Sequence, residues 1–211
     1  MPRMQPAPIV YVVDDDPDVL KAIERLLESE GLRVAAFPSP RQFLERYDRD
    51  AAACLVLDLA MPELNGLELQ AMLERQASHL PIIFLTGRGD IAASVRAMKQ
   101  GAADFLTKPV DDALLIATIR DALARDRALR PARIERERIA KRLATLTERE
   151  RQVLEQIVAG KLNKEIAAEL GTVEKTVKFH RANLMHKMGV RVVADLVKLA
   201  ERAGVGSTPR T

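Results

Sequence analysis

Two textures alternate along the first 125 residues. Short runs rich in apolar and β-branched residues stand at 9–13 (IVYVV), 33–37 (RVAAF), 54–58 (CLVLD), 82–86 (IIFLT) and 104–107 (DFLT). Between and after them, apolar residues recur at helical spacing over roughly 17–30, 39–47, 66–77, 90–100 and 111–125. Five strand–helix units in this order predict a parallel sheet with helices on both faces. Strands buried on both faces read as continuous apolar runs rather than alternating ones, as these do. Pro17 fits the first turn of a helix, and Gly31 and Gly101 stand where the first and fourth helices should stop.

The texture then changes. Residues 126–146 (DRALRPARIERERIAKRLATL) form a charged connector of good helix formers, in which Glu137 and Lys141 make a favourable i,i+4 pair. Pro131 is expected to interrupt or kink a helix there. The apolar spacing of Leu129, Ile134, Ile139 and Leu143 holds no heptad, so no coiled coil is predicted. From 147 to 204 the pattern is helical throughout. Thr147 and Glu150 make a capping box, and Gly160 ends that helix. Asn163 is placed to cap a short second helix through Leu170, and Thr172 to cap a third that stops at Gly189. A fourth runs from about Arg191 to Ala203, and the tail 205–211 is expected to be disordered.

Composition sharpens the division. A chain of 211 residues suits one large domain or two small ones. The net charge of +3 conceals opposite halves. Residues 1–125 carry 14 Lys+Arg against 19 Asp+Glu, or −5, and residues 126–211 carry 19 against 11, or +8. An acidic module joined to a basic one points to different partners, with nucleic acid a candidate for the second. No run approaches the roughly 18 apolar residues of a membrane span, and the start, MPRMQPAP, has no apolar signal core. A cytoplasmic protein without a membrane partner is expected. The single Cys54 allows no internal disulfide and reads as a small buried residue on a strand.

Candidate chemistry gathers at the strand ends. The stretch CLVLDLAMPELNG delivers one carboxylate, Asp58, which alone is either a cap or turn residue or a reagent. In a doubly wound sheet, ligands sit at the carboxyl ends of the strands. The first strand is followed by Asp14, Asp15 and Asp16, the fourth ends on Thr86 and Gly87, and the fifth runs into Lys108 and Pro109. Clustered carboxylates call for a cation, and hard Mg²⁺ takes one or two carboxylates together with water and phosphate oxygens. A carboxylate held there is a candidate nucleophile toward phosphorus, with Lys108 and a metal neutralising developing charge. Thr86 is a candidate donor to a phosphoryl oxygen, with Gly87 leaving room for it.

The segments VVDDD, LVLDLAMPELNG, FLTG and GAADFLTKP resemble, in register, the receiver domain of two-component response regulators over about residues 8–125. The resemblance implies a flavodoxin-like five-stranded parallel sheet of order 2-1-3-4-5. It implies that Asp58 accepts a phosphoryl group from a phosphohistidine of a sensor histidine kinase. Asp15, Asp58 and the backbone carbonyl of Ala60 would ligate Mg²⁺ (or Mn²⁺), with Asp14 acting mostly through a bound water. Lys108 would pair with the phosphoryl group, before a cis peptide bond to Pro109. Thr86 and Phe105 would be switch residues, Thr86 moving toward the phosphoryl group and Phe105 filling the space it leaves. Ala60 and Arg88, each two residues past a site residue, would border the path of attacking water and so set the phosphate's lifetime. Homodimerisation through the fourth helix, fifth strand and fifth helix would follow phosphorylation.

Residues 145–205 resemble the LuxR-type helix-turn-helix, matching at Leu146, Thr147, Glu150, Gly160, Asn163, Glu165, Ile166, Ala167, Leu170, Thr176, Val177, Lys178, His180, Leu184 and Lys187. At 3.6 residues per turn, Val177, Leu184 and Met188 share one side of the third helix. Lys175, Lys178, Phe179, Ala182 and His186 share the other. The second side suits a recognition helix in the major groove of double-stranded promoter DNA. Lys178 is placed for a guanine edge or a phosphate, Phe179 for a thymine methyl, Lys175 and Arg181 for phosphates, and Thr176 and Ala182 for the same surface. A long polar side chain often stands in the family where this chain has Ala182. Asn163 is expected to cap its helix and to approach a phosphate.

Together these readings divide the chain into a receiver (1–125), a charged helical linker (126–146), an all-α four-helix DNA-binding domain (147–204) and a tail (205–211). They imply a FixJ-like transcription regulator switched by phosphorylation, with RNA polymerase a candidate partner. No turnover of an external substrate is expected, only self-phosphorylation and slow autodephosphorylation. Two other readings compete. A receiver that serves as a phosphorylation-independent scaffold is disfavoured by the intact set Asp14, Asp15, Asp58, Thr86 and Lys108. An Asp-nucleophile phosphatase of the haloacid dehalogenase class needs a second acid where this chain has Ala60.

Overall fold

The computed structural model describes residues 7–87 and 91–205. Arg88 and residues 206–211 of the tail therefore lie outside the described residues. The chain divides into two compact units, 1–130 and 131–211.

In the first unit β1 (Ile9–Val13), β2 (Arg33–Phe37), β3 (Ala53–Asp58), β4 (Ile82–Thr86) and β5 (Asp104–Thr107) form a parallel sheet of order β2-β1-β3-β4-β5. Register is continuous: Val13 pairs with Phe37 and Leu57, and Asp58 with Leu85. Alternate strand residues feed two cores. Tyr11, Val13, Leu55, Leu57 and Phe84 pack with Phe43 of α2 (Pro40–Arg46), Leu69 and Leu73 of α3 (Gly66–Arg75) and Ala97 of α4 (Ile91–Lys99). Val10, Val12, Val56, Ile83 and Leu85 pack with Leu20, Ile23 and Leu27 of α1 (Pro17–Ser29) and Leu115, Ile116 and Ile119 of α5 (Asp112–Ala144). Cys54 lies on this second face, fully buried, and burial pushes its thiol pKa up to about 12. It is an inert packing residue, as its place on a strand predicts.

Local signals set the helix starts. Asp16 caps α1, its carboxylate accepting from the Asp18 and Val19 amides at 2.8 and 3.4 Å, with Pro17 in the first turn. Asn65 and Glu68 make a reciprocal capping box at α3. Gly31 and Gly101 follow α1 and α4 with φ of +74° and +82°, conformations open to glycine at no steric cost. One helix boundary departs from its expectation here. The helix expected to end near residue 125 continues as α5 to Ala144, uninterrupted at Pro131. Proline removes one intrahelical donor, but its flanks, RALR and ARIERER, are strong helix formers that carry the helix past it.

The second unit contains α6 (Glu148–Val158), α7 (Asn163–Glu169), α8 (Glu174–Met188) and α9 (Val193–Arg202). Ile139 of α5, Val153 and Leu154 of α6, Ile166 of α7, Val177, Leu184 and Met188 of α8, and Leu196 of α9 form its core. The capping box of Thr147 and Glu150 forms as predicted. Glu150 is also buried, and its carboxylate accepts from Lys187 of α8 at 2.7 Å. Thr172 is not the cap of α8. That place falls to Val173, while the Thr172 amide donates to the Ala167 carbonyl at 2.9 Å and closes the turn after α7.

Candidate functional site

The carboxyl edge of the sheet gathers the residues singled out above. Asp14 follows the last residue of β1 and is 1% exposed; Asp58 ends β3 and is 6% exposed. The Lys108 ammonium, just past β5, bridges them, donating to Asp14 Oδ2 at 2.6 Å and to Asp58 Oδ1 at 2.5 Å. The Asp14 Oδ1 accepts from the Asp16 amide at 3.0 Å, and the Asp58 Oδ2 from the Ala60 amide at 2.7 Å. Burial pushes the Asp14 pKa up by more than its bond from Lys108 draws it down. Burial also acts against the charge on Lys108, but the two carboxylates outweigh it and leave the lysine above its ordinary value.

Thr86, the last residue of β4, is buried beside this pair, its hydroxyl donating to the Gly87 carbonyl at 3.2 Å. A Cβ added at Gly87 would meet nothing within 4 Å, so that side is open, as expected. The Lys108 amide donates to the Thr86 carbonyl at 2.6 Å, tying the lysine loop to the end of β4, and the bond from Lys108 to Pro109 is cis. Phe105 is half-buried, its ring centroid 6.3 Å from that of Phe84. Ala60 is exposed beside Asp58. At Gly66 an added Cβ would stand 2.6 Å from the Asp58 carbonyl oxygen and 2.9 Å from the Phe84 ring, so only glycine lets the α3 start approach this closely.

Among the described residues no three or more His, Cys, Asp or Glu side chains are gathered as a metal-holding cluster. The site is instead a pair of carboxylates, Asp14 and Asp58, sharing one ammonium, with Asp15 exposed to solvent beside them. Two buried carboxylates against one ammonium leave net negative charge and hard oxygen donors. That donor set fits Mg²⁺, which takes one or two carboxylates and completes its shell with water and phosphoryl oxygens.

The second unit presents a different surface. Lys175, Lys178, Phe179, Ala182 and His186 of α8 are all exposed, opposite the buried Val177, Leu184 and Met188. Lys178 pairs with Glu174 one turn earlier at 3.1 Å, and Thr176 is half-buried. Asn163 is not the cap of α7: it is the first helical residue and Leu162 precedes it as N-cap, its amide satisfied by Glu165 at 2.7 Å. A leucine has no acceptor to offer, so Glu165 alone serves that end. The Asn163 Oδ1 accepts instead from Arg181 of α8 at 2.8 Å, which ties the two helices together and turns the arginine toward its own domain.

Two residues that hold these surfaces in place were not anticipated. Gln70 of α3 is 3% exposed and donates through Nε2 to the Ala97 and Gln100 carbonyls, at 3.2 and 3.1 Å, at the end of α4. Arg142 of α5 donates to the Met188 carbonyl at 2.8 Å at the end of α8. Each is a polar residue in a polar-looking stretch, and nothing in its spacing marks it as bonded across helices.

Comparison with known proteins follows the same division. Residues 10–120 match the family model described as response regulator receiver domain, and residues 144–200 the model described as bacterial regulatory proteins, luxR family. The transcriptional regulatory protein FixJ of Azorhizobium caulinodans is 43% identical over 205 residues, covering 97% of this chain and 96% of that one. Nodulation protein W of Bradyrhizobium diazoefficiens is 43% identical over 199 residues, covering 94% and 88%. The solved structure of the response regulator StyR is 43% identical and superposes with a TM-score of 0.73, covering 93% of this chain and 99% of that one.

Proposed function

The chain belongs to the two-component response regulators that join a receiver domain to a LuxR-type DNA-binding domain, and from that membership we propose that Asp58 is its phosphoacceptor. The observation that carries this reading is the Lys108 ammonium bridging two buried carboxylates, Asp14 and Asp58, beside the Thr86 hydroxyl. Asp58 is the carboxylate at the end of the central strand, with the open side of Gly87 next to its partner Thr86. An Asp58 oxygen attacks the phosphorus of a phosphohistidine on a sensor histidine kinase. The O–P bond forms, the N–P bond breaks, and the imidazole leaves with its electron pair and takes up a proton. Lys108 then exchanges its bond to Asp58 for one to a phosphoryl oxygen, and Thr86 turns its hydroxyl from Gly87 toward another.

Asp14, Asp15, Asp58 and the Ala60 carbonyl are the residues that would hold Mg²⁺ (or Mn²⁺), which when bound supplies neutralising charge for the phosphoryl oxygens. The phosphoryl group carries roughly −1.5 to −2 of charge where the free carboxylate carried −1, and Phe105 repacks into the space Thr86 vacates. Ala60 and Arg88 flank the route of water to the phosphoryl group. The chemistry stops at self-phosphorylation and slow hydrolysis, without turnover of an external substrate.

The receiver spans 1–125, the helical linker 126–146, the DNA-binding domain 147–204 and the tail 205–211. Val95 and Met98 of α4 and Leu114 of α5 are exposed apolar residues that support a homodimer interface on this side of the receiver. The dimer places two α8 helices on two half-sites of promoter DNA, where Lys175, Thr176, Lys178, Phe179, Arg181 and Ala182 form the contact surface and Asn163 stands close to the backbone. RNA polymerase is the downstream partner, in the cytoplasm; among the described residues no helix is long and apolar enough to cross a membrane.

Mass spectrometry after incubation with a small acyl phosphate and Mg²⁺ tests the acceptor. The expected result is one adduct on Asp58, labile to both acid and base, absent in Asp58→Asn and absent when the divalent cation is chelated. An adduct of full stoichiometry in Asp58→Asn contradicts the assignment.

A further inference from the structure

Because α8 turns Val177, Leu184 and Met188 into the core, its opposite side is free to meet a ligand. At about 100° per residue, Lys175, Phe179, Ala182 and His186 fall on one line along that side, with Lys178 on its shoulder. The ends of the line carry polar groups, and its middle carries none. Phe179 is 62% exposed and takes no part in the core of the second unit. Its ring stands edge-on to the neighbouring His180, with centroids 5.7 Å apart and planes at 68°. Ala182, one turn on, adds only a methyl group. The nearest long polar side chains are engaged: Lys178 with Glu174 at 3.1 Å and Arg181 with Asn163 at 2.8 Å. Phe179 thus offers an apolar ring on the side of the helix that carries Lys175 and Ala182, where a partner surface can reach it.

Resting on the DNA-binding reading, we infer that Phe179, with Ala182 beside it, is a specificity-determining residue that selects a T·A base pair through the thymine 5-methyl group. In the major groove a base pair shows hydrogen-bond donors and acceptors and, for thymine alone among the four bases, a methyl group. A phenyl ring offers neither donor nor acceptor, so the methyl is the feature of a base edge it can distinguish. Ala182 leaves the adjoining position without an amide or guanidinium to read a purine, so no polar contact competes at that step. Lys175 at the near end of the line supplies phosphate attraction, which positions the helix but carries no sequence information.

The full-length protein, treated with an acyl phosphate and Mg²⁺, is used to select duplexes from a random-sequence library. The enriched duplex is then remade with each thymine in turn replaced by uracil, which removes the methyl and leaves the hydrogen-bonding edge intact. Uracil at one thymine in each half-site is expected to weaken binding about fourfold, the worth of one buried methyl group. Phe179→Leu keeps that sensitivity. Phe179→Ser, folded by circular dichroism, binds the thymine and uracil duplexes equally. A wild-type protein indifferent to every uracil replacement, or a Phe179→Ser protein that keeps the wild-type loss, overturns the inference while leaving DNA binding in place. Failure of the wild type to enrich any sequence overturns the DNA-binding reading, and this inference with it.

Discussion

Gly66 and Gln70 show how closely single residues fix the packing of α3, at its start against Asp58 and along its length against α4. Any Cβ at Gly66 meets the Asp58 carbonyl and the Phe84 ring inside 3 Å, and neither backbone nor a fully buried ring yields cheaply. Gly66→Ala should therefore lose about 1–3 kcal/mol in urea unfolding, as overpacked cores do, and should slow labelling of Asp58. Gln70 ties α3 to the last turn of α4, and Gln70→Leu leaves two carbonyls there without that donor. A loss of about 1–3 kcal/mol is expected by the same measurement; unchanged stability would mean that the bonds contribute nothing net. Asp14, Asp58, Thr86 and Lys108 are legible in the sequence because each terminates an apolar run, and parallel topology brings all such ends to one edge. Gln70 is illegible because a buried amide looks like any surface glutamine. Asn163 misled for a related reason: it has a capping side chain, but it stands one residue inside the helix, where Arg181 claims its oxygen.

At the scale of elements, the five strands fall where the apolar runs predict, since a strand buried on both faces has no other way to be written. Helix ends follow their signals where the cap is local, as at Asp16, Asn65 and Thr147, and drift where it is not. Pro131 marks a stop that neighbouring helix formers override. The link from α6 to α8 depends on charge. Burial opposes ionisation of Glu150, but Lys187 and the Thr147 cap outweigh it and hold its carboxyl below the ordinary glutamate value. A depressed folded pKa contributes stability above the unfolded value of about 4.3, and that contribution disappears as pH falls through the folded value. Thermal unfolding of the full chain from pH 6 to pH 3 should thus decline less steeply in Glu150→Gln than in the wild type. Parallel declines would show that the Lys187 bond does not set the pKa.

The whole molecule pairs an acidic receiver part with a basic DNA-binding part: residues 1–125 carry −5 and residues 126–211 carry +8, which together make the net charge of +3. Binding of the basic unit should weaken steeply with salt, since each phosphate neutralised releases condensed counterions. The claim that joins the two units is that a phosphoryl group on Asp58 raises affinity for DNA. Fluorescence anisotropy on the enriched duplex, at one salt concentration, with and without acyl phosphate and Mg²⁺, tests it most directly. The wild type should bind at least about fivefold more tightly when phosphorylated, the lower end of typical coupling between sites, while Asp58→Asn stays at the unphosphorylated affinity under both conditions. Equal affinities for the wild type in the two conditions, with Asp58 verified as phosphorylated, would contradict the account.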